Sequence, residues 1–323
     1  MQPAIFNEAL ASPDGRKLRP RFKRADDINV VLEPRDFQIF ELFLTIRMIT
    51  KPEAWALLKD QFPQPFVLWR RLYRLHHAGY LTRPPEQQWR LRKRPGSSDH
   101  VYALGTRGAK ELERIGFKLP RKDWDQKAKD FKPYSFEHPL LITKFLTCMS
   151  LGVQRTPGIR ILELFPEGKF REEVNFFDGQ EDVSLTVIPD STLVCEDSRG
   201  NQTERLGIFL EAQRRTMPLS RTTFKQSSFH KKLLAYRHLW QQPDRIRERL
   251  RVDDFIVLTV CEDEASAVLL RDFTRKVDGE ENEEKGTNIF WFATQDALSL
   301  DDPQAVLLSD IWTTAAGERG SIF

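Results

Sequence analysis

The tract that most constrains how this chain can fold is residues 66–84, which read FVLWRRLYRLHHAGYLTRP. On the 3.6-residue period of an α-helix its leucines share one face, and these are Leu68, Leu72 and Leu75. Nearly opposite them lie cationic side chains, namely Arg70, Arg74 and His77. The pattern therefore predicts a helix that buries one face in a protein core and presents the other to a polyanion such as DNA.

The segments around this tract fit a winged helix-turn-helix. Gly79 is placed to end the helix in a left-handed cap, after which residues 80–82 read as the first strand of a β-wing. Upstream, residues 36–48 form an amphipathic segment, and Thr50 opens a short second one with Glu53 in its first turn. Two helices are thus expected ahead of the cationic one.

A basic hairpin is predicted downstream of the tract. Residues 89–94 (WRLRKR) and 101–104 (VYAL) read as strands, and residues 95–99 (PGSSD) read as the turn between them. The predicted DNA contacts of the tract and the hairpin are Arg70, Arg71, Arg74, His77, Arg83, Arg90, Arg92, Lys93 and Arg94. For any single cationic stripe, the alternative interpretation is an ordinary solvated helix face.

Local charge supports a polyanion partner for this part of the chain. The whole chain is nearly neutral, with 50 Lys+Arg and 47 Asp+Glu. Residues 51–132, however, hold 19 Lys+Arg against 9 Asp+Glu, a net +10, whereas residues 133–323 hold 23 against 31, a net −8. A basic module followed by an acidic one indicates phosphate contact on the first and a different role, such as metal binding, on the second.

Length and composition indicate a globular protein of two domains. The 323 residues are 40% hydrophobic, which is enough to bury substantial cores. We expect a polar lead-in over residues 1–30, a first domain over 31–117, a charged linker over 118–133 and a second domain over 134–323. The start of the sequence lacks a basic and apolar leader, and no apolar run approaches about 18 residues, so a cytoplasmic location without membrane contact is expected.

The cysteines indicate neither a disulfide framework nor a zinc site. There are three, they lie far apart, and none forms a CxxC pair. We therefore expect Cys148, Cys195 and Cys261 to be reduced thiols in the core.

The second domain reads as a mixed α/β core around a sheet, since helical and strand-like segments alternate. The expected helices are residues 139–151, 220–240 and 265–277. The expected strands are residues 159–165, 174–177, 186–195, 207–211, 255–260 and 289–293.

Two carboxylates of this domain could meet at adjacent strand ends. Asp190 lies in an apolar strand context, and Glu211 ends a strand about twenty residues later. Such a pair is a plausible Mg²⁺ site, and Glu137, just ahead of a predicted helix, could add a third ligand. The alternative is that Asp190 is a turn residue and Glu211 an ion-pair partner of a neighbouring arginine.

The helix predicted over residues 220–240 could bring a lysine to these acids. Lys225, Phe229, Lys232 and Tyr236 lie at i, i+4, i+7 and i+11, on one stripe. The alternative is a lysine that extends from the edge of a packed helix into solvent.

Several short motifs, taken in order, resemble the replication-relaxation family of bacterial plasmids and mobile elements. They are RRLYRLHHAGYL at 70–81, YALGTRGA at 102–109, EHPLLI at 137–142, the Pro-Asp pair at 189–190, FLE at 209–211 and KLLAY at 232–236. The resemblance extends from about residue 34 to residue 312. It implies a winged-helix DNA-binding domain and a role in the replication or maintenance of plasmid or mobile-element DNA.

The second half also resembles the PD-(D/E)xK nuclease fold, a restriction-endonuclease-like α/β domain. This resemblance implies that Asp190 and Glu211 take the metal-binding positions, for Mg²⁺ or Mn²⁺, and that Glu137 is the acid of the first helix. Gln213 stands where that superfamily usually has lysine, so Lys232 or Lys225 of the following helix is the expected substitute. Lys232 and Tyr236 resemble the Q-x-x-x-Y helix motif of some such nucleases, with lysine in place of glutamine.

The resulting expectation is a DNA-binding protein of a plasmid or mobile element whose nuclease-like domain is degenerate and serves for binding. One alternative is an active Mg²⁺-dependent endonuclease that uses Glu137, Asp190, Glu211 and Lys232. A second alternative is a transcriptional regulator. The expected partners are double-stranded DNA, other proteins of the element, and a second copy of the chain, as in winged-helix proteins that read palindromes.

Overall fold

A computed structural model describes residues 24–25, 28–84, 87, 100–119, 136–177, 181–214, 217–221, 226–281 and 288–323. The chain divides into two compact units. The first comprises Met1–Phe43 and Arg47–Phe136, and the second comprises Leu44–Ile46 and Glu137–Phe323. Each unit is described by itself, over its described residues.

The first unit combines helices with a small antiparallel sheet. Its helices are α1 (Pro34–Thr45), α2 (Lys51–Leu58), α3 (Pro65–His77) and α4 (Thr106–Arg114), and its strands are β1 (Ile49–Thr50), β2 (Leu81–Thr82) and β3 (Val101–Leu104). The strand order is β1-β3-β2. Thr50 pairs with Val101 on one side of β3, and Leu81 pairs with Leu104 on the other.

The ends of α2 and α3 follow the expected local chemistry. At the start of α2, the Thr50 side chain accepts a hydrogen bond from the Glu53 amide, and the Glu53 carboxylate accepts one from the Thr50 amide at 2.8 Å. This reciprocal pair satisfies two amide groups that the helix leaves open. At the end of α3, Gly79 adopts a left-handed φ of 83°, and the Tyr80 amide donates to the Leu75 carbonyl. Both predictions are confirmed.

The second unit is larger and alternates helices with strands. Its helices are α5 (Glu137–Gln154), α6 (Phe229–Trp240), α7 (Pro243–Leu250), α8 (Glu264–Glu281) and α9 (Ala305–Leu308). Its strands are β4 (Ile159–Pro166), β5 (Glu172–Phe177), β6 (Asp182–Val187), β7 (Ser191–Asp197), β8 (Glu204–Gln213), β9 (Asp254–Cys261), β10 (Phe290–Thr294), β11 (Trp312–Thr314) and β12 (Arg319–Gly320).

Most of these strands form one mixed sheet with the order β12-β11-β10-β9-β8-β7-β4. β8, β9 and β10 run parallel, and the outer neighbours pair antiparallel. β5 and β6 form a separate hairpin. The chain is therefore a mixed α/β protein, as the sequence predicts.

Strand β8 lies in the interior of this sheet and is covered on both faces. Ile208 and Leu210 point to one face and Phe209 to the other, and all three are fully buried. Phe209 packs against Tyr236 of α6, with ring centroids 5.7 Å apart. This packing fixes which end of β8 lies under α6.

Two predicted boundaries in this unit are wrong. The strand expected over residues 186–195 is two strands, because Pro189 has no amide hydrogen to continue the ladder and the chain turns between β6 and β7. The helix expected over residues 220–240 begins only at Phe229, where the Ser228 hydroxyl accepts a hydrogen bond from the Lys231 amide at 3.2 Å. The β6 half of the hairpin, α7, α9, β11 and β12 were not predicted.

The cysteines are buried free thiols, as the sequence predicts, and they are Cys148, Cys195 and Cys261. Burial raises the pKa of the Cys195 thiol to about 12. None of the helices in the described part of the chain combines the length and the apolar character needed to cross a bilayer.

Candidate nucleic-acid interface and buried acidic cluster

Helix α3 has one fully buried face and one exposed face. Leu68, Leu72 and Leu75 have no exposed surface, so the helix cannot rotate without losing its core contacts. Arg70 and Arg74 are exposed, and no described residue forms an ion pair with either guanidinium. These two arginines therefore keep their charge available to solvent or to a ligand.

The exposed face of α3 also carries three large aromatic side chains that the sequence analysis did not single out. Phe66 is 56% exposed, Trp69 40% and Tyr73 44%. Their spacing of three and four residues was visible in the sequence, but it is also the spacing of a buried helix face. Only their exposure distinguishes a binding surface from a core.

Arg71 lies between Arg70 and Arg74 in the sequence, and its buried position corrects one predicted DNA contact. Its guanidinium is buried and forms a double ion pair with Asp36, in which the Nε–H donates to Oδ1 at 2.7 Å. The same group donates to the Val31 carbonyl at 2.8 Å. Because Asp36 has no exposed surface, Arg71 is the counter-charge of a buried acid and is not available to DNA.

Arg83 is likewise an internal residue, which corrects a second predicted contact. It is buried, donates to the Tyr102 hydroxyl at 2.7 Å, and lies over the Tyr102 ring at 5.0 Å from its centroid. His77 is half-buried, and its Nδ1 accepts a hydrogen bond from the Ala25 amide at 2.6 Å. The remaining predicted contacts lie outside the described residues, and they are Arg90, Arg92, Lys93 and Arg94.

His76 is a buried histidine of the first unit with a strongly perturbed pKa. Its ring is buried, and neither ring nitrogen has a hydrogen-bond partner among the described residues. Burial, reinforced by the positive charge of Arg83, lowers the pKa of His76 to about 3. The ring is therefore neutral at physiological pH.

In the second unit, Asp190 and Glu211 lie at adjacent strand ends, as expected. Asp190 immediately precedes β7, and its amide donates to the Leu210 carbonyl of β8 at 2.9 Å. Its Oδ2 accepts a hydrogen bond from the Ala212 amide at 2.8 Å. The Asp190 carboxylate is thus held directly beside residues 210–212 of β8.

The Glu211 carboxylate is buried and fully engaged by helix α6. The Lys232 ammonium donates to Oε2, and the Tyr236 hydroxyl donates to Oε1 at 2.7 Å. Burial raises the pKa of Glu211, with a further contribution from the charge of Asp190. Burial alone would lower the pKa of Lys232, but the charges of Glu211 and Asp190 outweigh that effect and raise it. The predicted contact between Lys232 and this acid is present.

His138, the second residue of α5, is a member of this cluster that the sequence analysis missed. Its Nε2 lies 3.3 Å from Oδ1 of Asp190. Although burial favours the neutral ring, the hydrogen bond with Asp190 raises the pKa of His138 above its ordinary value. The negative charge of Glu167 also favours the charged forms of His138 and Lys232. In the sequence, His138 lies beside Glu137 within the EHPLLI motif, and that position was its signal.

The other predicted members contribute differently. Glu137 is the first residue of α5 and is half-buried. Gln213 ends β8, is 4% exposed, and its Nε2 has no hydrogen-bond partner among the described residues. Lys225 lies outside the described residues.

The carboxylates of Asp190 and Glu211 are both engaged by groups of the protein itself. Each of the four carboxylate oxygens of Asp190 and Glu211 already faces a protein proton or cation, from His138, Ala212, Lys232 or Tyr236. In the described part of the chain, no group of three or more His, Cys, Asp or Glu side chains could hold a metal ion. A hard cation at this position would share these carboxylates with the protein groups that already contact them.

Comparison with models of protein families shows which family the chain belongs to. The model of the replication-relaxation family matches residues 56–259. The chain belongs to this family. No curated protein and no solved structure matches it.

The matched residues of the replication-relaxation family contain both candidate sites. They include α3 in the first unit and, in the second, the acidic cluster with its α6 partners. Family membership indicates a role in the replication or maintenance of plasmid or mobile-element DNA.

Proposed function

We propose that the protein binds DNA through α3, within a winged helix-turn-helix formed by the first unit. The proposal is supported by the order of elements, in which α1, α2 and α3 accompany a three-stranded antiparallel sheet. Such domains insert the last of three helices into or along DNA and use the hairpin as the wing. The observation that carries the proposal is the pair Arg70 and Arg74, both exposed on α3 without an ion-pair partner among the described residues.

The charge of this region favours a phosphate backbone over other partners. Residues 51–132 have a net charge of +10, although the whole chain is near neutrality. Arg71 and Arg83 are occupied internally, so the exposed arginines of α3 are the described cations best placed to meet phosphates. Guanidinium groups donate two parallel hydrogen bonds to phosphate oxygens, which suits them to this contact.

The double variant Arg70→Ala/Arg74→Ala tests this proposal. Because each phosphate contact releases counterions, the slope of log affinity against log salt should fall by about two, and affinity for duplex DNA should fall about tenfold or more. Fluorescence anisotropy with a labelled duplex at several salt concentrations measures both quantities.

A matched control removes the same charge from another surface of the same unit. Lys110 and Arg114 lie exposed on α4, so Lys110→Ala/Arg114→Ala lowers the net charge by the same amount. If the control and the α3 variant weaken binding equally, DNA is attracted by overall charge and α3 is not the contact surface.

For the second unit we propose that the acidic cluster has a structural role. In this role, side chains of the protein itself neutralise a nuclease-like arrangement of acids. What supports this is the engagement of Glu211 by Lys232 and Tyr236 and of Asp190 by His138. The alternative is a Mg²⁺- or Mn²⁺-dependent endonuclease, in which Asp190 and Glu211 would also ligate the cation.

Plasmid DNA separates these two possibilities. Supercoiled DNA is incubated with the protein and Mg²⁺ or Mn²⁺, beside an Asp190→Asn/Glu211→Gln variant of nearly equal shape. Equal and negligible nicking by both proteins supports the structural role of the acidic cluster. Divalent-dependent nicking that the variant lacks supports the endonuclease.

A further inference from the structure

The exposed side chains of α3 sort into two parallel strips. At 100° per residue, Phe66, Trp69 and Tyr73 fall within about 60° of one another around the helix axis. Arg70 and Arg74 fall immediately beside them, on the same side. The exposed face of α3 therefore has an aromatic strip and, along its edge, a cationic strip.

The aromatic strip is a fixed feature of the folded first unit. The opposite face of α3 is anchored by Leu68, Leu72 and Leu75, which have no exposed surface. The double ion pair between Arg71 and Asp36 anchors the helix from a second direction. Exposed aromatic groups of this size that are bordered by charge mark an interaction surface.

Two rings of the strip, those of Trp69 and Tyr73, each have a cation over one face. The Lys51 ammonium lies 5.3 Å from the centroid of the Trp69 ring. The Tyr73 ring lies 4.2 Å from the His77 ring and 5.5 Å from the Arg83 guanidinium, measured between or to centroids. Cations against a ring restrict its rotamers, so less conformational entropy is lost when a ligand stacks on it.

Double-helical DNA makes poor use of such a strip. In the major groove, base edges offer hydrogen-bonding groups, and their one apolar group is the thymine methyl. An unpaired strand instead exposes the flat faces of its bases on one side and its phosphates on the other. Base faces stack on aromatic side chains while the backbone follows a line of positive charge.

We propose that α3 binds unpaired DNA, with bases stacked on Phe66, Trp69 and Tyr73 and with the backbone following Arg70 and Arg74. Phe66 and Trp69 are about 4.5 Å apart along the helix axis, and Trp69 and Tyr73 about 6 Å, so successive bases can reach successive rings. The inference rests on the proposed function, because it names the form of DNA that the same helix takes.

The experiment compares three ligands of equal length. One is a mixed-sequence single strand, the second is the same strand with abasic sites at most positions, and the third is the duplex. The abasic strand keeps every phosphate but lacks the bases. The protein should bind the normal strand about tenfold or more tightly than the abasic strand, since each stacked base contributes substantially to affinity.

Two pairs of variants accompany these ligands. Trp69→Ala/Tyr73→Ala should lose most of the preference for the normal strand, since only Phe66 remains of the three stacking rings, and Trp69→Leu/Tyr73→Leu should do the same while it keeps apolar bulk on the surface. The control is Phe177→Ala/Trp240→Ala, which removes exposed aromatic groups from the second unit, 65% and 40% exposed. The control should keep the preference for the normal strand.

The outcomes distinguish the inference from the proposed function. If the wild type binds normal and abasic strands equally, or if the aromatic variants keep the full preference, the inference is overturned while DNA binding through the arginines stands. If the aromatic variants lose only self-association, measured by light scattering, the strip is a contact between copies and the inference again fails. If Arg70→Ala/Arg74→Ala binds all three ligands as the wild type does, the proposed function itself fails.

Discussion

Helix α3 and the cluster around Glu211 use similar residue types in opposite ways. On α3, cations and aromatic rings are exposed, and Arg70 and Arg74 have no ion-pair partner among the described residues. Around Glu211, the Lys232 ammonium and the Tyr236 hydroxyl point inward, and both donate hydrogen bonds to this one buried carboxylate. The difference is one of solvation. A buried charge must be paired within the protein, whereas an exposed charge is solvated by water and remains available to a ligand.

The same contrast occurs between neighbours within α3. Arg70 is exposed, but Arg71 is the internal partner of Asp36. Position on the helix surface, rather than residue type, therefore separates a candidate ligand contact from a structural ion pair. Substitutions that remove one charge at a time test this distinction.

The largest effect is expected for Lys232→Met. The change leaves Glu211 buried without its counter-charge, which should destabilise the fold by about 3–5 kcal/mol. Because the pKa of Glu211 is already raised by burial, the loss should shrink when the pH is lowered enough to protonate this carboxyl. Urea unfolding at neutral and acidic pH measures both.

Two further variants make this prediction specific. Glu211→Gln combined with Lys232→Met removes both charges and should recover much of the loss. Lys169 is exposed in the same unit, so Lys169→Met should change stability by no more than about 0.5 kcal/mol. A double variant as unstable as the single one would show that the ion pair is not what Lys232 contributes.

A comparable but somewhat smaller loss is expected for Arg71→Met, about 3 kcal/mol, because Asp36 would remain buried and unpaired. Arg70→Met, one residue away, should leave stability within about 0.5 kcal/mol of the wild type and weaken DNA binding instead. Urea unfolding and anisotropy on both variants test the contrast. It would be broken if Arg70→Met destabilised the protein as much as Arg71→Met.

The smallest effect is a dependence of stability on pH through His76. The pKa of His76 is about 3 in the folded protein, below its ordinary value of 6.5. Between these two pH values the ring is protonated in the unfolded chain and neutral in the folded protein. The contribution of neutral His76 to the free energy of unfolding is therefore fully present above about pH 6.5. It falls as the pH is lowered, by up to about 1.4 kcal/mol per pH unit. His76→Leu should flatten the slope of unfolding free energy between pH 7 and pH 5, and an unchanged slope would remove His76 as its source.

Much of the acidic cluster could be predicted from local order in the sequence. Asp190 precedes β7 and Glu211 lies near the end of the adjacent strand β8, whereas Lys232 and Tyr236 lie one helical turn apart. Their meeting follows from strand pairing and the helical period. His138 could not be placed in this way. Its contact with Asp190 joins positions 52 residues apart, and no period relates the start of α5 to the turn before β7.

The fold shows the same division. The left-handed Gly79 and the start of α2 at Thr50 are local chemistry and were predicted, because a left-handed φ and a capped amide depend on neighbouring residues. The break between β6 and β7 and the strands β11 and β12 were not predicted, since short strands are stabilised by their partners more than by their own composition.

By itself, the sequence determined the amphipathic period of α3, the buried thiols and the order of short motifs that resembles the replication-relaxation family, because each depends on residue type and short spacing. Only the tertiary structure decided which cations are available. Arg71 and Lys232 each meet a buried carboxylate brought from a distant segment, Asp36 or Glu211, whereas Arg70 and Arg74 face solvent. Desolvation, which no single segment can reveal, makes that choice.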